Sequence, residues 1–150
     1  RARGSPFEIV DAAELRRRGG EATHKYVLCC SPWLIVDGGR VPIEEVATAE
    51  ELASVKGPPG HLGHLLAPNP RSFVGARADG SLLLAAYHGR SGAHPGLTYA
   101  DLQAEAEALG CEQALNLDGG GSSQCWVEGR GVLVGNDLDR VIGNAIVLFR

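Results

Sequence analysis

Beyond residue 25 the chain is a series of short apolar runs separated by glycine-bearing turns. The runs 26–28 and 33–36 are β-prone, and Asp37-Gly38-Gly39 before Val41 predicts a hairpin after the second. Residues 43–55, with Glu44, Glu45, Glu50 and Glu51, favour a helix that Gly57-Pro58-Pro59-Gly60 ends; a loop carrying His61 and His64 is expected to follow. Runs 72–76 and 82–87 flank Asp79-Gly80, a dipeptide that tolerates the backbone of a tight turn, so two antiparallel strands are expected. Thr98 with Asp101 three residues on resembles a capping box, Leu102, Ala106 and Leu109 form a one-sided apolar stripe, and Gly110 stops the helix. Residues 114–117 read as a strand entering Gly119-Gly120-Gly121, and 124–127, 132–134 and 141–149 as further strands. Together these elements predict an α+β fold, a mostly antiparallel β-sheet with one or two packed helices. Residues 1–24, with a short helix near 10–15 and the basic run Arg16-Arg17-Arg18, read as a peripheral segment ahead of a domain over 25–150.

Composition narrows what such a domain does. A chain of 150 residues, 44% of them hydrophobic, is enough for one core. Its 14 Lys plus Arg against 18 Asp plus Glu, a net charge of -4, leave no broad basic surface for a nucleic-acid backbone. No apolar run approaches the roughly 20 residues of a membrane span. Glycine, at 21 residues, is the compositional outlier and punctuates a fold with many sharp turns. Met is absent and no secretory apolar segment is visible, so the chain is expected to be processed or a fragment. Cys29, Cys30, Cys111 and Cys125 lack C-x-x-C spacing and read as free thiols packed as small hydrophobes, with three full disulfide pairings as the alternative.

The stretch Asn116-Leu117-Asp118-Gly119-Gly120-Gly121-Ser122-Ser123 carries the chemistry. Three consecutive glycines cost backbone entropy and so need a reason. Lacking Cβ atoms, they let a ligand approach backbone N–H groups, which form a concave nest for an oxyanion or a phosphate. Asp118, at a strand end, is placed to act as acid, base or nucleophile, while Asn116, Ser122 and Ser123 offer neutral hydrogen bonds to sugar hydroxyls. The plainer alternative is a tight connection in which Asp118 closes an Asx turn. A serine triad is disfavoured because no histidine lies nearby in sequence. His61 and His64 read as solvated, and Asn136, Asp137 and Asp139 as a turn without the glycine and terminal glutamate of a calcium loop. No metal site and no cofactor are predicted.

Read together with Asn69-Pro70-Arg71-Ser72, Val74-Gly75, the hairpin, His88-Gly89-Arg90-Ser91, Gly96-Leu97-Thr98 opening a helix, and Gly143-Asn144-Ala145, this stretch resembles the phosphodiester glycosidase family. The resemblance runs from about Trp33 to Arg150 and is densest between Arg71 and Trp126. Members usually carry Asp where this chain has His88, and Thr or Met where it has Gln124-Cys125. They also carry an Asn-Gly-aromatic motif upstream of the Trp33 hairpin that residues 1–25 do not contain, so the resemblance implies a domain truncated at its N-terminus, one in which another segment substitutes, or one of weakened activity.

The resemblance implies hydrolysis of a sugar-1-phosphodiester in a glycan or exopolysaccharide, with a secreted or cell-envelope location. The family includes an enzyme that removes N-acetylglucosamine from a phosphodiester on mannose. The leaving group is a phosphate monoester of low pKa, so anion binding replaces acid catalysis. Arg71 and Arg90 are expected to clamp the phosphate bidentately, and Asp118 to stabilise the oxocarbenium-like centre, attack it or activate water. Arg71, Arg90 and Asp118 thus form the expected catalytic set, with Asn116, Gly119, Gly120, Gly121, Ser122, Ser123 and His88 binding the carbohydrate phosphodiester. Two other readings stand beside this one. A carbohydrate- or phosphate-binding module would keep the glycine loop without turnover. An actin-like sugar kinase loop fits poorly, because there one residue separates Asp from the glycines, and the chain is too short for a two-lobed ATP fold.

Overall fold

A computed structural model describes residues 8–19, 26–53, 60–135, 137 and 140–149. Helix α1 (Ala12–Arg17) starts where the Asp11 carboxylate accepts from the N–H groups of Ala13 and Glu14, two of the donors a helix N-terminus leaves unpaired. Strands β1 (Trp33–Val36) and β2 (Gly39–Arg40) form the expected hairpin. A 3-10 turn, Ile43–Glu45, and helix α2 (Ala49–Leu52) follow, then α3 (Gly60–Leu66). Strands β3 (Arg71–Arg77) and β4 (Leu82–Tyr87) pair from Arg71↔Tyr87 to Ala76↔Leu82. Helix α4 (Tyr99–Ala108) leads into β5 (Cys111–Asn116), and β6 (Gln124–Val127) with β7 (Gly131–Gly135) makes a separate two-stranded sheet.

The main sheet has the order β2-β1-β5-β3-β4, and each pairing in it is antiparallel. With its neighbours α4 and α3 this is the α+β arrangement the pattern predicts. Helix α4 begins at a full capping box, Thr98 and Asp101 each bonding the other's backbone N–H; the Thr98 hydroxyl first, and then its backbone N–H, donate to the Asp101 carboxylate and hold its pKa below the ordinary value. Its inner face buries Tyr99, Leu102, Gln103 and Ala106. The Tyr99 hydroxyl donates to the Trp33 carbonyl at 2.6 Å, and Gln103 Nε2 donates to the carbonyls of Leu34 and Val41 at 3.0 and 2.8 Å, which satisfies polar groups taken out of water. Burial pushes the Tyr99 phenol up to about 12. Leu34, Ile35, Phe73, Leu102, Ala106 and Ala114 are all at 0% exposure, and Leu62 and Leu65 of α3 join the same core. Each of the large aliphatic or aromatic side chains among them contributes about 1.5–3 kcal/mol of hydrophobic burial.

Four expectations are corrected. Residues 26–28 form no strand and stand exposed. The single helix over 43–55 is broken, because the Thr48 side chain and Glu51 form a capping box that starts α2 afresh; residues 54 and 55 lie outside the described set. The expected loop at His61 and His64 is helix α3, whose Leu62 and Leu65, one turn apart, both drop into the core. Residues 141–149 form no strand: no described segment pairs with them, and a lone extended segment leaves its backbone groups to water. The Asp79-Gly80 turn is also one residue longer than a two-residue hairpin. Arg77 N donates to Ser81 O at 3.0 Å, leaving Ala78, Asp79 and Gly80 as the loop. Among the described residues no helix is long and apolar enough to cross a membrane.

Candidate active site

The site begins with the end of a short helix. The last turn of α3 leaves carbonyls without helical partners, and Arg71, the first residue of β3, supplies the donors. Its Nη2 donates to the carbonyls of His64, Leu65 and Ala67 at 2.6, 2.7 and 3.0 Å, and its Nε to that of Leu97 at 3.0 Å. A cation at a helix C-terminus also meets the negative end of the helix dipole. The alternation of β3 puts Arg71 on the face of Phe73, so the side chain runs inward and is only 1% exposed. The expected bidentate phosphate clamp at Arg71 is therefore corrected: Nε and Nη2 already hold protein carbonyls, and Nη1 is left facing Gly119, 3.6 Å from where a Cβ would stand.

Asn69 ties the second arginine to the same scaffold. Its Nδ2 donates to the His64 and Ala67 carbonyls, and its Oδ1 accepts from Arg90 Nε at 3.1 Å. Arg90 has a left-handed backbone, φ 58, a conformation of order 1 kcal/mol above the right-handed one for a residue with a side chain. Anchored through Nε, its guanidinium lies over the glycine loop, with Nη2 2.8 Å from a Cβ added at Gly120.

The loop leaves β5 through Leu117, whose N–H donates to Ser72 O, and Asp118, whose carbonyl accepts from Ser72 Oγ at 3.0 Å. The Asp118 side chain is exposed and its Oδ1 accepts from Gly119 N at 2.8 Å. Gly120 N donates to Pro70 O at 2.9 Å. Two of the three glycine amides are thus engaged within the protein, which corrects the picture of an open N–H nest at Gly119 and Gly120. The absent Cβ atoms instead admit side chains. A Cβ at Gly119 would sit 3.4 Å from His64 Nε2; one at Gly120 would sit 3.3 Å from His64 Cε1; one at Gly121 would sit 2.9 Å from Arg140 Cδ and 3.3 Å from Asp137 Oδ2.

Arg71, Arg90 and Asp118 therefore meet at one loop, joined by His64 and Arg140, which the sequence reading did not select. For His64 a signal was present in the i, i+3 pair Leu62 and Leu65, which marks a helix and places the histidine beside the core. For Arg140 the sequence holds no comparable signal. The remaining predicted residues are less open to a ligand. Ser123 is at 0% exposure, so its hydroxyl is closed to substrate. Asn116 is buried, with Nδ2 donating to Ser31 O at 3.0 Å. Ser122 is half-buried in the 3-10 turn Gly120–Ser122. His88 Nε2 is hydrogen-bonded to Leu133 O at 2.8 Å, and the ring lines a cleft of about 360 Å³ shared with His94 and Pro95.

Electrostatics record the convergence. Burial first, then the Arg71 and Arg90 charges, lower the pKa of the His64 imidazole, against a smaller opposing pull from Asp118. Burial, then Arg90, lowers that of Arg71. Burial, then Cys29 and Asp118, raises that of the Cys30 thiol, which puts the segment before β1 within electrostatic reach of the loop. The described cysteines are free thiols, but only Cys111 is buried as a small hydrophobe; Cys29 is exposed, and Cys30 and Cys125 are half-buried. Among the described residues no group of three or more His, Cys, Asp or Glu is gathered closely enough to hold a metal ion.

This arrangement has counterparts. A curated Bacillus subtilis protein, the SPbeta prophage-derived uncharacterized protein YomE, is 39% identical over 79 residues, covering 53% of this chain and 12% of that protein. A hypothetical protein from Synechocystis superposes with a TM-score of 0.51 at 24% identity, covering 74% of this chain and 18% of the other. The catalytic domain of zebrafish N-acetylglucosamine-1-phosphodiester alpha-N-acetylglucosaminidase, auto-inhibited by its pro-peptide, superposes at 0.52 and 23% identity, covering 65% of this chain and 31% of the other. At such identities the solved structures establish the fold alone, and this chain spans less than a third of each relative. The phosphodiester glycosidase family model matches residues 5–149, starting well upstream of Trp33 and so including α1. The match over nearly the whole length, with the ordered motifs folded around one glycine loop, makes this chain a member of the phosphodiester glycosidase family.

Proposed function

We propose that the chain hydrolyses the C1–O bond of a sugar-1-phosphodiester, with the phosphate lying over residues 119–121 and the sugar carbon beside Asp118. The observation that carries this reading is the convergence of Arg90, Arg140 and His64 on three consecutive residues without Cβ atoms, next to an exposed carboxylate. A phosphodiester carries one negative charge and the departing phosphomonoester two. Guanidinium groups fixed beforehand bind the second charge as it develops, so they favour the transition state over the bound substrate. Arg90 is the direct ligand in this reading, since its Nε is anchored to Asn69 and its Nη2 faces the loop. Arg71 acts from behind Gly119, fixing α3 against β3 and adding positive field. Asp118 stabilises the oxocarbenium-like centre, attacks it or orients water; Asn116, Ser122 and Ser123 shape the loop that holds it.

The proposed reaction calls on no metal and no cofactor, and the substrate class extends from glycan to exopolysaccharide phosphodiesters in the secreted or cell-envelope compartment. The test is release of reducing sugar and phosphomonoester from a chromogenic sugar phosphodiester, with and without EDTA. Wild type is expected to turn over equally in both, and Asp118→Ala to lose about 10²–10⁴ in rate. An Asp118→Ala protein as active as wild type overturns the assignment. Phosphate affinity without sugar release makes the chain a binding module.

A further inference from the structure

Hydrolysis at carbon creates two things at once, a second charge on the phosphate and one proton from the attacking water. Arginine answers only the first, because it stays protonated at any working pH. His64 is a group of the other kind, and it stands at the same glycines. Its Cε1 lies 3.3 Å from the Cβ position of Gly120, where Arg90 Nη2 lies at 2.8 Å; its Nε2 lies 3.4 Å from that of Gly119, where Arg71 Nη1 lies at 3.6 Å. The backbone behind it is pinned, the His64 carbonyl accepting from Arg71 Nη2 at 2.6 Å and from Asn69 Nδ2 at 2.9 Å. The charges facing the ring are Arg71 from β3, Arg90 from beyond β4 and Asp118 from beyond β5, with Arg140 and Asp137 at the adjoining Gly121.

We infer that His64 is the proton acceptor of the reaction, a neutral imidazole between Asp118 and the departing phosphate that receives the proton water loses. The inference rests on the phosphodiester reading. In the step, a water O–H bond breaks as its oxygen bonds to C1. The C1–O electron pair leaves on the phosphate oxygen, and the proton ends on Nε2, the nitrogen facing Gly119. Before reaction the ring is neutral because burial and two guanidinium groups hold its pKa below the ordinary 6.5. As the phosphate gains its second charge the imidazole becomes the better base, and the new imidazolium pairs with the dianion. This ion pair exists only once charge has developed, which is where binding accelerates a reaction. Asp118 is then left to serve the sugar carbon.

The sign of the pH effect is fixed. The imidazole must be unprotonated, so kcat/KM of the wild type is expected to fall as pH drops below 6.5 through the His64 pKa, tenfold per pH unit. His64→Gln is expected to lose about 10²–10⁴ in kcat with KM within a few-fold, and to lose that acidic limb. A merely structural histidine would lower activity without moving the limb. As a second readout that needs no variant and no turnover, the assigned His64 ring is titrated by NMR with and without inorganic phosphate; the anion is expected to raise its pKa. A His64→Gln protein that keeps both rate and limb, or a titration that phosphate leaves in place, overturns the inference while the phosphodiester reading stands. Absence of hydrolysis by the wild type, at any pH, overturns both.

Discussion

The glycine loop joins two regions of opposite construction. On the sheet side, β5 lies between β1 and β3, α4 covers the core, and even a guanidinium is closed in by four carbonyls. On the other side, the β6–β7 hairpin leaves Trp126 at 65% exposure, and residues 141–149 follow with Phe149 at 91%. The difference teaches where the precision of the site originates. His64, Arg71 and Arg90 reach the loop from segments hydrogen-bonded into the sheet region. Arg140 arrives from the exposed side, held by a backbone bond from its N–H to Asp137 O at 3.2 Å. A ligand group on a rigid element holds its geometry before substrate binds; one on an exposed segment must be ordered by it.

The contrast breaks most readily at Arg71. Arg71→Ala is expected to cost about 3–5 kcal/mol of stability, because it strips donors from buried carbonyls, and urea unfolding measures it. Arg140→Ala should leave the unfolding free energy within about 0.5 kcal/mol and raise KM for the phosphodiester instead. If the two effects come out reversed, the division between a structural and a ligand-facing arginine is wrong. A finer comparison sets Gly120 against Gly129, which share a left-handed backbone, φ 63 and 76. An alanine at either costs about 1–2 kcal/mol of backbone strain. Only at Gly120 does the new methyl meet Arg90 Nη2; at Gly129 nothing lies within 4 Å. Gly120→Ala should therefore reduce turnover well beyond its loss of stability, while Gly129→Ala should lower the unfolding midpoint alone. The smallest effect belongs to the exposed tail: Val147→Ser, at a residue 62% exposed, is expected to change stability by no more than about 0.5 kcal/mol. A loss above 1 kcal/mol by thermal unfolding would mean that residues 141–149 pack in solution.

Much of this layout was legible before any coordinates. The 71–87 hairpin, the Thr98–Asp101 box and the strand into the glycine loop are each written in a window of a few residues, where turn chemistry and capping act. The same alternation that marks β3 also puts Arg71 on the face of Phe73, so its burial was readable once the strand was accepted as half-buried. Helix α3 was obscured by its own composition, since two glycines and two histidines argue for a loop until Leu62 and Leu65 find the core. At the tail the converse holds. Its apolar run has strand propensity, and propensity without a partner makes no strand.

By itself, then, the sequence determined the 71–87 hairpin, the helix opened by Thr98, the strand into the glycine loop with its adjacent carboxylate, and the family to which they belong. Those are properties of neighbouring residues and of motifs kept in series. Only the tertiary structure decided which charges surround the loop and in what role. A side chain's access to solvent and its hydrogen-bond partners depend on packing between segments distant in the chain: α3 against β3 turned Arg71 inward, Asn69 anchored Arg90 over Gly120, and His64 came to stand at the same glycines.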